Sequence, residues 1–186
     1  MRRICVFCGS RTGVDSVHAV AAREVGTMIG QRGIELVYGG GRVGLMGILA
    51  DAAMAAGGSV IGIIPSSLHE SEIGHDGINE LIVVETMHER KQKMADLSDA
   101  FITLAGGAGT LEELFEQWTW AQLGFHGKPC GVLNINGYYT HMKAHVDFMV
   151  EQGFVSREHA SILLFAETPG ALIDAFATYQ PPRRKW

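Results

Sequence analysis

Short apolar runs without a polar break recur along the chain, each stopped by glycine or a polar turn and each followed by residues with helical spacing. A strand that is apolar on both faces must be covered on both, so this alternation points to a parallel sheet between two layers of helices. Strands are expected over residues 3–8, 34–38, 59–64, 81–84, 101–104, 130–133 and 162–165. Helices are expected over 15–32, 44–56, 86–97, 138–151 and 170–177, with a further long one opened by Thr110. The fold class is therefore α/β, a doubly wound Rossmann-like fold with a mainly parallel sheet of about seven strands flanked by helices. Between the third and fourth strands, residues 66–79 form a polar loop long enough to serve as a functional flap.

With 186 residues, 47% of them hydrophobic and 19% charged, the chain can bury one substantial core. One nucleotide-binding domain over residues 1–180 is expected, followed by a solvated basic tail over 181–186 that contains Arg183, Arg184 and Lys185. The net charge of −5 argues against a general nucleic-acid binder, which needs a basic face for the phosphate backbone. No apolar run approaches the ~20 residues that cross a bilayer, and Ser10-Arg11-Thr12 interrupts any signal-peptide core, so a cytoplasmic protein is expected. Cys5-Val6-Phe7-Cys8 has the spacing of a redox pair, but it falls on a strand, where a separation of three sends the two thiols to opposite faces.

Ligands of doubly wound sheets bind at the carboxyl ends of the strands, and three glycine-rich or polar strand ends, after Cys8, Tyr38 and Leu104, converge on that edge. The third is the most informative. In Phe101 to Gly124, an apolar strand meets Gly106, Gly107 and Gly109 and then a long helix. Free amides and the positive end of the helix dipole make such a start a site for a phosphate or a carboxylate, with Glu113 one turn further along. Thr110-Leu111-Glu112-Glu113 also fits a capping box, which would account for Thr110 and Glu113 on structural grounds alone.

In the helix over 86–97, Met87, Arg90 and Met94 are spaced to share one face, and an arginine on an apolar stripe needs an anionic partner. A bound phosphate, with Lys91 alongside, or an internal carboxylate could supply it. Gly39, Gly41 and Gly44 have the spacing of a dinucleotide fingerprint. The acidic residue that should hold the ribose is absent, because the next strand ends Ile63-Ile64-Pro65, and the motif follows the second strand instead of the first. There is no GxxxxGK[ST] loop and no GxSxG. His141 and His145 stand at i and i+4 without a third ligand, so no metal is expected.

Phe7-Cys8-Gly9-Ser10, Tyr38-Gly39-Gly40-Gly41, Gly44-Leu45-Met46-Gly47, Met87-His88-Glu89-Arg90-Lys91, Gly106 to Glu113 and Thr119 to Gly124 together resemble, in order and over nearly the whole chain, the LOG (LONELY GUY) family. Those proteins are cytokinin riboside 5′-monophosphate phosphoribohydrolases. Ala105 stands where that family usually has proline, a change that affects the rigidity of the turn and removes no functional group. The resemblance implies hydrolysis of the N-glycosidic bond of an N6-substituted adenosine monophosphate, or of AMP, giving free base and ribose 5-phosphate without a cofactor. It implies Arg90 and Glu113 as the catalytic pair. Lys91, Gly107, Ala108, Gly109, Thr110, Leu111 and Glu112 would line the nucleotide site, with Thr119 near it and Glu72 reaching in from the polar loop. The name lysine decarboxylase has also been attached to the family, but the sequence has no lysine motif for pyridoxal phosphate.

The chemistry agrees with these assignments. Departure of the base leaves positive charge on the anomeric carbon, which a carboxylate such as Glu113 stabilises while taking a proton from water. Arg90 either holds the phosphate or assists the leaving group. The family also forms homodimers, and the helix that carries Leu114, Phe115, Trp118, Trp120, Ala121 and Leu123 presents a wide apolar surface suited to an interface. The main alternative of a different class is a non-catalytic nucleotide or cofactor carrier on the same fold; an NAD(P) enzyme comes third.

Overall fold

The computed structural model describes residues 1–71 and 73–183. Seven strands form one sheet in the order β4-β3-β2-β1-β5-β6-β7, and every pairing is parallel. The strands are β1 (Arg3–Phe7), β2 (Glu35–Tyr38), β3 (Val60–Pro65), β4 (Glu80–Val84), β5 (Ala100–Thr103), β6 (Cys130–Leu133) and β7 (Leu163–Ala166). The helices are α1 (Val17–Gln31), α2 (Gly44–Ala55), α3 (Ser66–Glu70), α4 (Met87–Leu97), α5 (Ala108–Leu123), α6 (Thr140–Glu151), α7 (Arg157–Ala160) and α8 (Pro169–Thr178).

Alternate residues of each strand feed two cores. Ile4, Val6 and Cys8 face α1, α2 and α8, whereas Cys5 and Phe7 face α4, α5 and α6. The two cysteines of the CxxC spacing accordingly lie on opposite sides of the sheet, as strand geometry requires. Strand order reverses at β1, which pairs with β2 on one side and β5 on the other. The helices that follow β1 and β5 leave toward opposite faces, so a crevice opens above the ends of these two strands.

The departures from the sequence reading are local. Residues 66–79 are not all loop: α3 occupies the first turn, and an antiparallel bridge between Gly41 and Gly74 ties the remainder back to the β2 end. Pro65 does not stop β3 short, because as its last residue it still pairs with Val84. At the sheet edge β4 is half exposed, with Val83 at 47%. The four-residue α7 escaped prediction. It is too short for a periodic signal, and its cap, Ser156 Oγ accepting from the His159 amide at 3.1 Å, is the one local mark it leaves. Phe115 and Trp120 of α5 pack partly against the chain's own core, which takes up much of the surface expected for an interface. Glu72 and the tail residues Arg184 and Lys185 lie outside the described residues.

Candidate active site

The start of α5 sits at the rim of the crevice. Gly107 is its N-cap in an extended conformation and offers no side-chain cap. The first intrahelical bond runs from the Leu111 amide to the Gly107 carbonyl at 3.2 Å, so the amides of Ala108, Gly109 and Thr110 have no partner inside the helix. The capping box that Thr110 and Glu113 would fit by spacing does not form. The helix begins two residues earlier than Thr110, which places Thr110 in its first turn, buried, and carries Glu113 into the second turn, beyond reach of the cap. Gly106 has no room for a side chain, since a Cβ there would overlap Thr110 Oγ1 and lie 2.7 Å from Thr110 Cβ. The capping box in this region belongs to α4, where Thr86 Oγ1 accepts from the Glu89 amide at 3.1 Å and Glu89 Oε2 accepts from the Thr86 amide at 3.3 Å.

That box fixes the end of α4 from which Arg90 projects. Arg90 Nε donates to the Ile63 carbonyl at the end of β3, at 3.1 Å, and Nη1 donates to Glu113 Oε1 at 3.0 Å. Both residues are buried. Burial pushes the Glu113 carboxyl above the usual carboxylate range; Arg90 pulls it back down and Glu112 adds to the rise, with the net shift upward. The buried stripe on α4 is shifted from the expected one. Arg90, Lys91, Met94 and Ala95 are buried, while Met87 is 45% exposed.

Lys91 turns the other way. Its ammonium donates to Glu112 and, at 3.0 Å, to Glu116, joining the outer sides of α4 and α5. Desolvation would lower its pKa, but the two carboxylates outweigh that and hold it above the ordinary lysine value.

One cavity of about 370 Å³ gathers Arg90, Glu113, Gly107, Ala108, Gly109 and Thr110. Lys91, Leu111, Glu112 and Thr119 do not line it; Thr119 is exposed and donates to the Phe115 carbonyl at 2.7 Å. The cavity walls also include Cys8, Gly39, Met46 and Met94, which were not among the residues expected there. Cys8 is identifiable from sequence as a strand end. Met46 and Met94 carry no chemical signal there, since methionine at helical spacing reads as core. Burial raises the Cys8 thiol well above the ordinary range, which leaves it an unreactive wall. A second cavity of about 550 Å³ lies across the shared turns Gly9, Ser10 and Gly107, with Arg11, His18 and Tyr138 in its walls. Among the described residues its one carboxylate is Asp15, which accepts from the Val17 amide and from Asn136, whereas the Arg90–Glu113 pair lines the smaller cavity.

A crevice at the reversal of strand order, with an open helix start on one wall, marks a doubly wound α/β protein of the ligand-binding kind. The family model described as "Possible lysine decarboxylase" matches residues 46–176. A probable cytokinin riboside 5′-monophosphate phosphoribohydrolase of Oryza sativa subsp. japonica is 47% identical over 184 residues, which is 99% of this chain and 75% of that protein. The cytokinin riboside 5′-monophosphate phosphoribohydrolase LOG3 of Arabidopsis thaliana is 48% identical over 180 residues, 97% of this chain and 84% of that one. Among solved structures, the molybdenum cofactor binding protein of Rippkaea orientalis superposes with a TM-score of 0.73 at 22% identity, covering 96% of this chain and 97% of that one. This last likeness is one of fold. By sequence, the chain belongs to the LOG family of cytokinin riboside 5′-monophosphate phosphoribohydrolases.

Proposed function

We propose that the protein hydrolyses the N-glycosidic bond of N6-substituted adenosine 5′-monophosphates, releasing the free cytokinin-type base and ribose 5-phosphate. Family membership supports the reaction, and the observation that carries the reading of the site is the buried Arg90–Glu113 pair on the wall of the cavity that the α5 start opens into. The 5′-phosphate takes the unpartnered amides of Ala108, Gly109 and Thr110 and the positive end of the helix. This anchoring sets the anomeric carbon near Glu113. As the C1′–N9 bond breaks, the Glu113 carboxylate stabilises the growing positive charge on the ribose and takes a proton from the water whose oxygen bonds to C1′. Arg90 keeps Glu113 oriented and lowers its pKa against the desolvation that raises it. An arginine does not give up its proton in proteins, and no second carboxylate among the described residues lines this cavity, so the departing purine takes its proton from solvent.

No helix among the described residues is long and apolar enough to cross a membrane. We infer a cytoplasmic homodimer, built on the face that carries α4 and α5, where Met87 stays exposed and Phe115 and Trp120 are only partly covered. Light scattering on the purified protein tests the assembly.

The reaction is tested by incubating the protein with AMP and with isopentenyl-AMP and following free base by chromatography. Base release from either, absent with the unphosphorylated ribosides, is the expected result. Tight nucleotide binding without base release would replace the hydrolase with a carrier.

A further inference from the structure

The glycine run after β2 has the spacing of a dinucleotide fingerprint, yet in the fold it has another use. Gly40 and Gly44 have φ values of +73° and +61°, so their backbone conformations favour glycine. Gly39 is different. It is not among the residues of positive φ, and nothing in its backbone forbids a side chain. What forbids one is Arg90: a Cβ built on Gly39 would overlap Nη2 and lie 3.2 Å from Cζ, with Met46 Sδ the next neighbour at 3.3 Å. The methionine end is flexible and can move aside. The guanidinium cannot, because its plane is already tied through Nε to the Ile63 carbonyl and through Nη1 to Glu113.

We propose that Gly39 is a positioning residue for the reaction: its missing side chain is the slot that seats the Arg90 guanidinium against the β2 end. Held there, Nη1 meets Glu113 while Nη2, which makes no hydrogen bond among the described residues, remains available to the substrate in the cavity that Gly39 and Arg90 both line. Three constraints then fix a planar group: an acceptor on Nε, an acceptor on Nη1, and bare backbone beneath Nη2. A methyl group at position 39 can be accommodated only if the arginine tilts, and tilting breaks the bond to Glu113. The same loss removes the influence that lowers the Glu113 pKa, so the carboxylate would hold its proton to higher pH. The inference rests on the catalytic reading of Arg90 and Glu113 given above.

A double-mutant cycle of Gly39→Ala with Arg90→Lys tests it, because lysine has no planar head to collide with the new methyl group. With Arg90 in place, Gly39→Ala is expected to lower kcat/KM about 100-fold, the order associated with displacing a catalytic group by roughly an ångström. The acid limb of its pH profile should move upward and its thermal midpoint should stay near that of the parent. In the Arg90→Lys background the same change should alter kcat/KM by less than about threefold, since no shared contact remains. AMP affinity by calorimetry on all four proteins gives the same comparison where turnover is slow. Equal factors in the two backgrounds, or an unmoved acid limb, would overturn the proposal. If Gly39→Ala alone does not fold, recovery of folding with Arg90→Lys supports the collision, and failure in both backgrounds rejects it. Arg90→Lys and Glu113→Gln proteins with parental rates would instead reject the catalytic reading itself, which keeps the two failures apart.

Discussion

Arg90 Nη1 and Glu113 Oε1 meet at 3.0 Å across the gap between α4 and α5, and each side chain is only 10% exposed. A buried ion pair is a weak source of net stability, because desolvation offsets much of the attraction. It lies on a cavity wall beside a helix start with free amides, which is where the proposed reaction needs it.

Glu113→Gln separates the two explanations. Glutamine keeps an oxygen that can accept from Arg90 but cannot take a proton from water. The expected result is a folded protein whose base-release rate is lower by about 100-fold or more. Circular dichroism checks the fold and chromatography the rate; a parental rate would remove Glu113 from the reaction.

The pH profile follows from the raised Glu113 pKa, with the sign set by which form reacts. In the proposed reaction Glu113 acts as the carboxylate, and burial makes it hold its proton above its ordinary value of 4.5, so activity should fall on the acid side at a pH higher than that. Glu112 contributes to the rise. Glu112→Gln should therefore shift the acid limb of kcat/KM downward. An upward shift would mean that the limb belongs to another group.

Much of the fold was legible because unbroken apolar strands leave few alternatives to a covered parallel sheet. The site was legible in part. Two Thr-x-x-Glu patterns occur close together, Thr86 to Glu89 and Thr110 to Glu113, and local sequence treats them alike. Only the first becomes a capping box, because α4 starts directly after Thr86, whereas α5 starts earlier, at the glycines, and Glu113 is taken by Arg90 from another helix. That choice is tertiary. Lys91 is a similar case: it adjoins Arg90 in sequence, but successive helical positions diverge by roughly 100 degrees, and the turn sends it to Glu112 and Glu116 on the far side. Gly39 was visible as a glycine of a known spacing, but what occupies the space it leaves comes from a residue far along the chain.

Lys91→Met tests the clamp between α4 and α5. Methionine preserves the apolar stem and removes the ammonium, leaving Glu112 and Glu116 facing each other without a counter-charge. Loss of a fully buried partner costs about 3–5 kcal/mol. Glu112 is half exposed, with its side chain at 54%, and solvent screens that half of the pair, so a loss of about 2 kcal/mol is expected in urea unfolding. A rise in the KM for AMP with unchanged stability would assign Lys91 to the ligand instead.

Thr86→Ala probes whether the start of α4 matters to the chemistry one turn away. Thr86 Oγ1 satisfies the Glu89 amide, and Glu89 Oε2 in turn accepts from the amides of Glu85 and Thr86 at 2.9 and 3.3 Å. Removing the hydroxyl should cost about 1 kcal/mol, the usual loss for an N-cap. It also frees the turn from which Arg90 reaches the Ile63 carbonyl and Glu113. A fall in kcat is therefore expected at temperatures well below the thermal midpoint, where the protein remains folded. Thr86→Ser restores the acceptor and should recover both stability and rate. If Thr86→Ala lowers stability alone and leaves kcat at the parental value, the ties to Ile63 and Glu113 hold Arg90 in place without help from the helix start.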